Sequence, residues 1–219
     1  MTPVLTPDLI LKAYSKGLFP MAYSAGSPHI NWICPEMRGQ LSIPAMHIPR
    51  SLLKRVKQGA YEVRIDTAFA DVIALCAQAA ADRPETWIND SIAETFCALH
   101  DQGHAHSVEC WHDGELLGGL YGLKIGGAFF GESMFSRATD ASKVALIHLA
   151  ARLYKGGFKI LDTQFVNDHL EQFGVYEIVH TDYMQKLESV LAMETDFTLK
   201  NTSEPDILSE YLAMRTNSR

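Results

Sequence analysis

The sequence predicts a mixed α/β chain of the α+β kind, an antiparallel meander followed by alternating helix and strand, and three observations predict it. Residues 106–111 and 116–125 are two strand-like runs joined around Asp113-Gly114, a pair suited to a tight hairpin turn. Residues 128–136, rich in aromatics after Gly126-Gly127, add a third strand. Residues 141–153 then carry Val144, Ala145, Ile147, His148 and Ala151 at helical spacing, stop at Gly156-Gly157, and lead into the short β-leaning run 158–161.

From the N-terminus, Thr6 reads as a helix cap, with Pro7 in the first turn and Gly17 as the stop. Residues 19–38, rich in Pro, Gly, Ser and aromatics, read as an irregular loop that covers something. In 50–57, Arg50, Lys54 and Lys57 share one helical face while Leu52, Leu53 and Val56 share the other. Asp66 or Thr67 is expected to cap a helix through Phe69 and Cys76, and Asn89 another through Phe96 to Gly103. The polar connection 82–89 between them carries Trp87, a packing lid or a platform for a base or ribose. After the meander and the helix, a strand at 175–178 and a capped helix from Thr181 to about Met193 are expected, then a loose tail from Glu194.

At 219 residues the chain can bury one core, or one core with a small lobe. No apolar run approaches the roughly 20 residues that cross a bilayer, and the start lacks a signal-peptide pattern, so a cytoplasmic protein is expected. Cys34, Cys76, Cys97 and Cys110 show no paired spacing and read as reduced. The net charge of −7 is uneven: residues 1–170 hold 15 basic and 17 acidic side chains, residues 171–210 only 2 against 9. Gripping long nucleic acid needs a broad basic excess, so if RNA binds, a small part of it does.

Polar groups concentrate at two strand ends. Alternation sets Glu132 between Phe130 and Met134 on one face, and points Asp162 and Gln164 one way with Thr163 opposite. Ends of strands are where open α/β sheets place their sites. Read alone, Glu132 and Asp162 suit catalysis and burial against backbone N–H groups or an arginine such as Arg137 equally. His104, His106, Cys110 and His112 alternate along one strand, but four ligands on one extended strand cannot close a tetrahedron, and no metal is expected. Residues 131–135 begin like a nucleophile elbow and lack its second glycine, which argues against Ser133 as nucleophile. Nothing local supports a Cys110–His148 pair.

The phrases Gly131-Glu132-Ser133-Met134-Phe135-Ser136-Arg137, Ala141-Ser142-Lys143, Asp162-Thr163-Gln164 and Asn167-Asp168-His169 occur in this order. Upstream stand Gly17-Leu18-Phe19-Pro20, Trp32 through Pro35 to Arg38, Thr86-Trp87-Ile88 and Gly103-His104-Ala105-His106-Ser107. Together they resemble the leucyl/phenylalanyl-tRNA protein transferases, from about Ala13 to about Tyr183. The resemblance implies an acyl-CoA N-acyltransferase-like core, which the element order also suggests. It divides the chain into a small N-terminal lobe (1–45), a catalytic domain (46–193) and an acidic C-terminal tail (194–219).

It further implies transfer of Leu or Phe, with Met a further candidate, from aminoacyl-tRNA to the N-terminal α-amino group of proteins beginning with Arg or Lys. That modification marks them for N-end rule degradation and uses no cofactor. By motif position, Asp162 would attract and orient the amine and Gln164 bridge to it. Glu132 would hold the donor's ammonium or the acceptor's cationic side chain. Leu120, Phe129, Met134, Leu146, Leu153 and Leu161 would wall the acyl pocket, Trp87 would stack on the terminal adenosine, and Arg50, Lys54 and Lys57 would touch tRNA phosphates. Met21 stands where many members have Trp after Phe-Pro, so an aromatic touch on the donor is missing or supplied by Tyr23, and the short leader predicts a reduced N-terminal lobe. A CoA-dependent N-acetyltransferase is the alternative, disfavoured because the connection 136–140 lacks the glycines that cradle a pyrophosphate. A non-catalytic binder of basic N-termini is the third reading, disfavoured by Asp162 and Gln164 beside an apolar pocket.

Overall fold

The computed structural model describes residues 5–79 and 85–217, so the first part of the polar connection 82–89 lies outside the described residues. Helix α1 (Pro7–Tyr14) begins where the sequence predicts: Thr6 Oγ1 accepts from the Leu9 N–H at 3.3 Å, and Gly17 turns at φ +76° past the end. The expected loop 19–38 is instead largely extended. It forms the antiparallel pair β1 (Phe19–Ala22) and β2 (Ile30–Ile33) and enters β3 (Met37–Leu41), whose two edges are both taken by later strands. Local β1–β2 pairing, with distant partners only for β3, overrides the irregular composition there. Helix α2 (Arg50–Lys57) buries Leu52 and Val56 and leaves Arg50, Lys54 and Lys57 exposed.

After β4 (Glu62–Ile65), α3 (Phe69–Cys76) starts without a side-chain cap. Asp66, expected there, sits at φ +59° and accepts from the Ser107 N–H at 2.8 Å, and its other oxygen lies 2.7 Å from His106 Nδ1. Thr67 gives its N–H to Glu109 at 2.9 Å. Asn89 does cap α4 (Asp90–Asp101), accepting from the Ile92 N–H at 2.9 Å. The meander follows as β5 (Ala105–His112), β6 (Glu115–Ile125) and β7 (Ala128–Ser136), with Asp113 and Gly114 both at positive φ, as the tight turn requires.

Helix α5 (Ala141–Lys155) crosses to β8 (Ile160–Gln164), which lies parallel to β7. Then come α6 (Asp168–Glu171), β9 (Tyr176–Val179), α7 (His180–Val190), which begins without the expected side-chain cap, and α8 (Glu204–Asn217). The sheet runs β4-β5-β6-β7-β8-β3-β9, so a segment of the expected N-terminal lobe is an inner strand of the main sheet. The result is a mixed, acyltransferase-like α+β fold with apolar clusters on both faces of the sheet.

The stretch from 194, expected to be a loose tail, closes one of those faces. Ile207 and Tyr211 are buried, Tyr211 donates its hydroxyl to the Ile43 carbonyl at 2.6 Å, and Arg152 pairs with Glu204. The cause lies in α5, which is buried almost all round and needs a cover on its outer side. Two such side chains contribute about 1.5–3 kcal/mol each by leaving water. Among the described residues no helix is long and apolar enough to cross a membrane.

One irregularity shapes the site. In the β6–β7 ladder Gly122 opposes Gly131 and Tyr121 opposes Ser133, so Glu132 is an extra, bulged residue. Phe130 and Met134 therefore do not share a face: Phe130 joins Tyr14 in one cluster, and Met134 packs against the cluster that holds Phe129.

Candidate active site

Parallel pairing of β7 with β8 runs from Ala128↔Ile160 to Phe130↔Asp162 and goes no further. Beyond that point the bulge on β7 carries one strand aside, while β8 turns toward β3. Between them lies a pocket of about 260 Å³. Its polar side is built from Glu132 and Ser133 of β7 and Thr163 and Gln164 of β8. Leu120, Met134, Leu146, Leu149 and Leu161 supply its apolar side, and Trp87 stands at its wall.

Asp162 is not part of that lining. It is wholly buried on the other side of β8, and both of its oxygens lie 3.0 Å from Arg38 Nε. Tyr183 donates its hydroxyl to Oδ2 at 2.6 Å, and the Gln164 N–H donates to Oδ1 at 2.8 Å. Arg38, fully buried itself, also donates to the Gly17 carbonyl at 2.8 Å and lies between the rings of Phe19 and Tyr183. The arginine named from sequence, Arg137, donates instead to Gln78 at 3.1 Å. Burial, with the Asp162 charge beside it, pushes the Tyr183 hydroxyl far up, so it stays a donor.

Gln164 leaves the extended region at φ +58°, which ends the alternation assumed from sequence. It lines the pocket together with Thr163, and its buried Nε2 has no hydrogen-bond partner among the described residues. Gly39 of β3 makes this turn possible. A Cβ there would meet the Phe165 backbone at 2.7 Å and Thr163 Oγ1 at 2.8 Å, so only glycine lets β3 approach so closely.

Glu132 differs from Asp162 in every respect. Its Oε1 is buried without a hydrogen bond among the described residues. Burial pushes its carboxyl up to about 8, against the pull of the Tyr14 hydroxyl and the Arg38 charge and with the Asp162 charge adding to the rise. A neutral acid facing an apolar pocket is poised to take up a cation or to exchange a proton near neutrality.

Of the other residues singled out from sequence, Phe129 and Leu153 lie in the core rather than in the pocket lining; Phe129 stacks on Phe197 with centroids 5.3 Å apart. Met21 packs into the Tyr14 cluster and Tyr23 is 72% exposed; neither lines the pocket. Burial raises the Cys110 thiol to about 12, which makes it a poor nucleophile, and His148 faces Glu204. The connection into α5 holds Asp140 at φ +62°, its carboxylate engaged by Arg55 at 3.2 Å and Lys143 at 3.1 Å. It is a cation-tied turn, not a glycine cradle.

Sequence reasoning missed Arg38 and Tyr183 as partners of Asp162, and Asn167 and His169 as pocket residues. Arg38, Asn167 and His169 lay inside the motif phrases without an assigned role; Tyr183 carried no local signal.

The sequence profile of the leucyl/phenylalanyl-tRNA protein transferases matches residues 40–188, and that of their N-terminal domain matches residues 4–36. A leucyl/phenylalanyl-tRNA–protein transferase of Paramagnetospirillum magneticum is 55% identical over 188 residues, covering 86% of this chain and 90% of its own. One of Hyphomonas neptunium is 51% identical over 191 residues, covering 87% of this chain and 74% of its own. With its splayed parallel strands, apolar pocket and paired polar groups, the chain belongs to the leucyl/phenylalanyl-tRNA protein transferase family, a family of aminoacyltransferases.

Proposed function

We propose that the protein transfers Leu or Phe from its tRNA ester to the α-amino group of proteins beginning with Arg or Lys, in the cytoplasm, marking them for N-end rule degradation. The observation that carries this is the meeting of Glu132 and Gln164 with one apolar pocket where β7 and β8 part. The chemistry is ester aminolysis. The amine nitrogen attacks the carbonyl carbon, the C–O ester bond breaks, and the ribose oxygen takes up a proton as the amine gives one away. A free α-amino group titrates near pH ~8, so part of it is already neutral at pH 7.

Leu120, Met134, Leu146 and Leu161 hold the donor side chain. Met134 is unbranched and adapts to two shapes. Trp87 stacks on the terminal adenosine. Glu132, whose buried Oε1 has no hydrogen-bond partner among the described residues, receives an ammonium and gives up its proton as the cation arrives. Gln164 Nε2 donates to a carbonyl or developing oxyanion, or its Oε1 accepts from the amine. Asp162, its oxygens already filled, is a positioning residue: it holds the Gln164 N–H and so fixes the left-handed turn. Positioning of this kind contributes more here than direct proton abstraction by a carboxylate.

The test is transfer of radiolabelled leucine from Leu-tRNA to peptides beginning with Arg and with Met. Incorporation into the Arg peptide alone supports the reading. No incorporation by folded protein, together with a rise in melting temperature on adding CoA, replaces it with an N-acetyltransferase.

A further inference from the structure

We propose that a second cavity, next to the acyl pocket, seats the donor's penultimate nucleotide, with Arg137 on the phosphodiester that joins it to the terminal adenosine. This rests on the aminoacyl-tRNA reading above and extends it to a subsite. The cavity holds about 620 Å³, more than twice the 260 Å³ of the acyl pocket. The two share Met134, Asn167 and His169 as lining, so they are neighbours along one surface.

Its chemistry suits a nucleotide rather than a second side chain. Among the described residues the lining offers Ser136, Ser142 and Gln78 as polar groups, Leu75 and Phe135 as apolar surface, the Arg137 guanidinium and no carboxylate. Arg38, Arg55, Arg64 and Arg152 each stand in an ion pair with a carboxylate. Arg137 is exposed and bonds the neutral amide of Gln78, so its charge is not cancelled by that partner. In a chain of net charge −7, a guanidinium beside the acyl pocket that pairs with no carboxylate among the described residues is where a single phosphate is best held.

The cavity also points toward the basic helix. Its wall belongs to the connection into α5, and the other end of that connection is tied to α2 and the following turn. Arg55 pairs with Asp140, and Tyr61 donates its hydroxyl to the Thr139 carbonyl at 2.7 Å. A strand leaving the acyl pocket past Arg137 thus runs toward α2 on the side where Arg55 is tied to Asp140. The terminal three or so nucleotides need no broader basic surface.

The experiment compares three donors: leucyl-adenosine, which has no phosphodiester; leucyl-CpA; and leucyl-CpA with a neutral methylphosphonate linkage. The acceptor is one Arg-starting peptide. For the wild type, kcat/KM with the charged linkage should exceed that with the neutral one by about tenfold, the worth of one hydrogen bond to a charged group. In Arg137→Ala that advantage should fall to near unity, and Arg137→Lys should restore part of it. The neutral-linkage arm uses wild-type protein, so a folding defect in the variants cannot mask the result. An equal response of wild type to both linkages, or an advantage that persists in Arg137→Ala, overturns the assignment. So does a loss that follows the acceptor's second residue instead of the donor linkage, which makes the cavity a peptide site. Failure of wild type to use leucyl-adenosine or Leu-tRNA at all overturns the aminoacyl-tRNA reading itself.

Discussion

Asp162 and Glu132 stand on neighbouring parallel strands, two residues out of a shared register, and their surroundings are opposite. Asp162 is filled by Arg38, Tyr183 and the Gln164 N–H; Glu132 keeps a buried oxygen without a hydrogen bond among the described residues. A carboxylate whose donors are all supplied by the fold has nothing left for a ligand and serves as framework. One that the fold buries and leaves incomplete is held at a cost that only a ligand or a proton removes. This difference is the ground for the separate roles proposed above.

The sharpest way to break this comparison is Asp162→Asn. It leaves the buried Arg38 guanidinium without its counter-charge, and removing one partner of such a pair costs about 3–5 kcal/mol. Urea unfolding should show that loss, and adding Arg38→Met should recover part of it, a coupling read from the double-mutant cycle. An Asp162→Asn variant of wild-type stability that fails only in transfer would make Asp162 a substrate-contacting residue after all.

Next in size is Gly39→Ala. The new methyl group must displace the Phe165 backbone and Thr163, and with them the turn that aims Gln164. Overpacking of this kind costs about 1–3 kcal/mol of stability. Transfer should fall further, by about a hundredfold in kcat/KM, because a displacement near 1 Å at a reacting group carries that penalty. Equal, small losses in both measurements would mean that Gln164 is not held by this approach.

Glu132 predicts a pH effect of definite sign. With its carboxyl raised from 4.5 to about 8, the folded chain keeps a proton that the unfolded chain has lost between those values. Stability therefore falls as pH rises through that window, and Glu132→Gln should flatten the fall while leaving the acid end unchanged. Binding of an Arg-starting peptide to wild type at pH 7 should release up to one proton, seen by calorimetry in buffers of different ionisation enthalpy. A wild-type profile as flat as the variant's removes Glu132 from this role.

Much of this was legible in the sequence because local rules sufficed. The Asp113-Gly114 turn, the Thr6 and Asn89 caps and the glycine stop after α5 each depend on a few neighbouring residues, and each appears where expected. What failed depended on distant partners. The region 19–38 holds a local pair, β1 with β2, that its irregular composition hid, while the ladders of β3 at its end come from strands more than a hundred residues later. The tail looked loose because the need for α8 lies in the outer face of α5. Around the candidate site, motif singled out Glu132 and Asp162, but period-2 alternation misplaced their neighbours, since a bulge and a left-handed Gln164 both interrupt it. Such interruptions are where function departs from regular pattern.

The smallest expected effect tests whether the proposed contact with tRNA extends beyond the pocket. Lys54 and Lys57 are exposed on α2, and no described carboxylate pairs with them. Reversing both to Glu should leave the fold intact, since exposed charges away from partners shift stability by less than about 0.5 kcal/mol. Each phosphate that a lysine no longer neutralises should lower the slope of log affinity against log salt by about 0.7, the value for a single strand. Affinity for Leu-tRNA should fall in proportion, and the effect should be absent with leucyl-adenosine, which carries no phosphate for a lysine to neutralise. Equal loss with both donors would tie the two lysines to the stability of α2 and leave Arg137 as the outermost group to touch the donor.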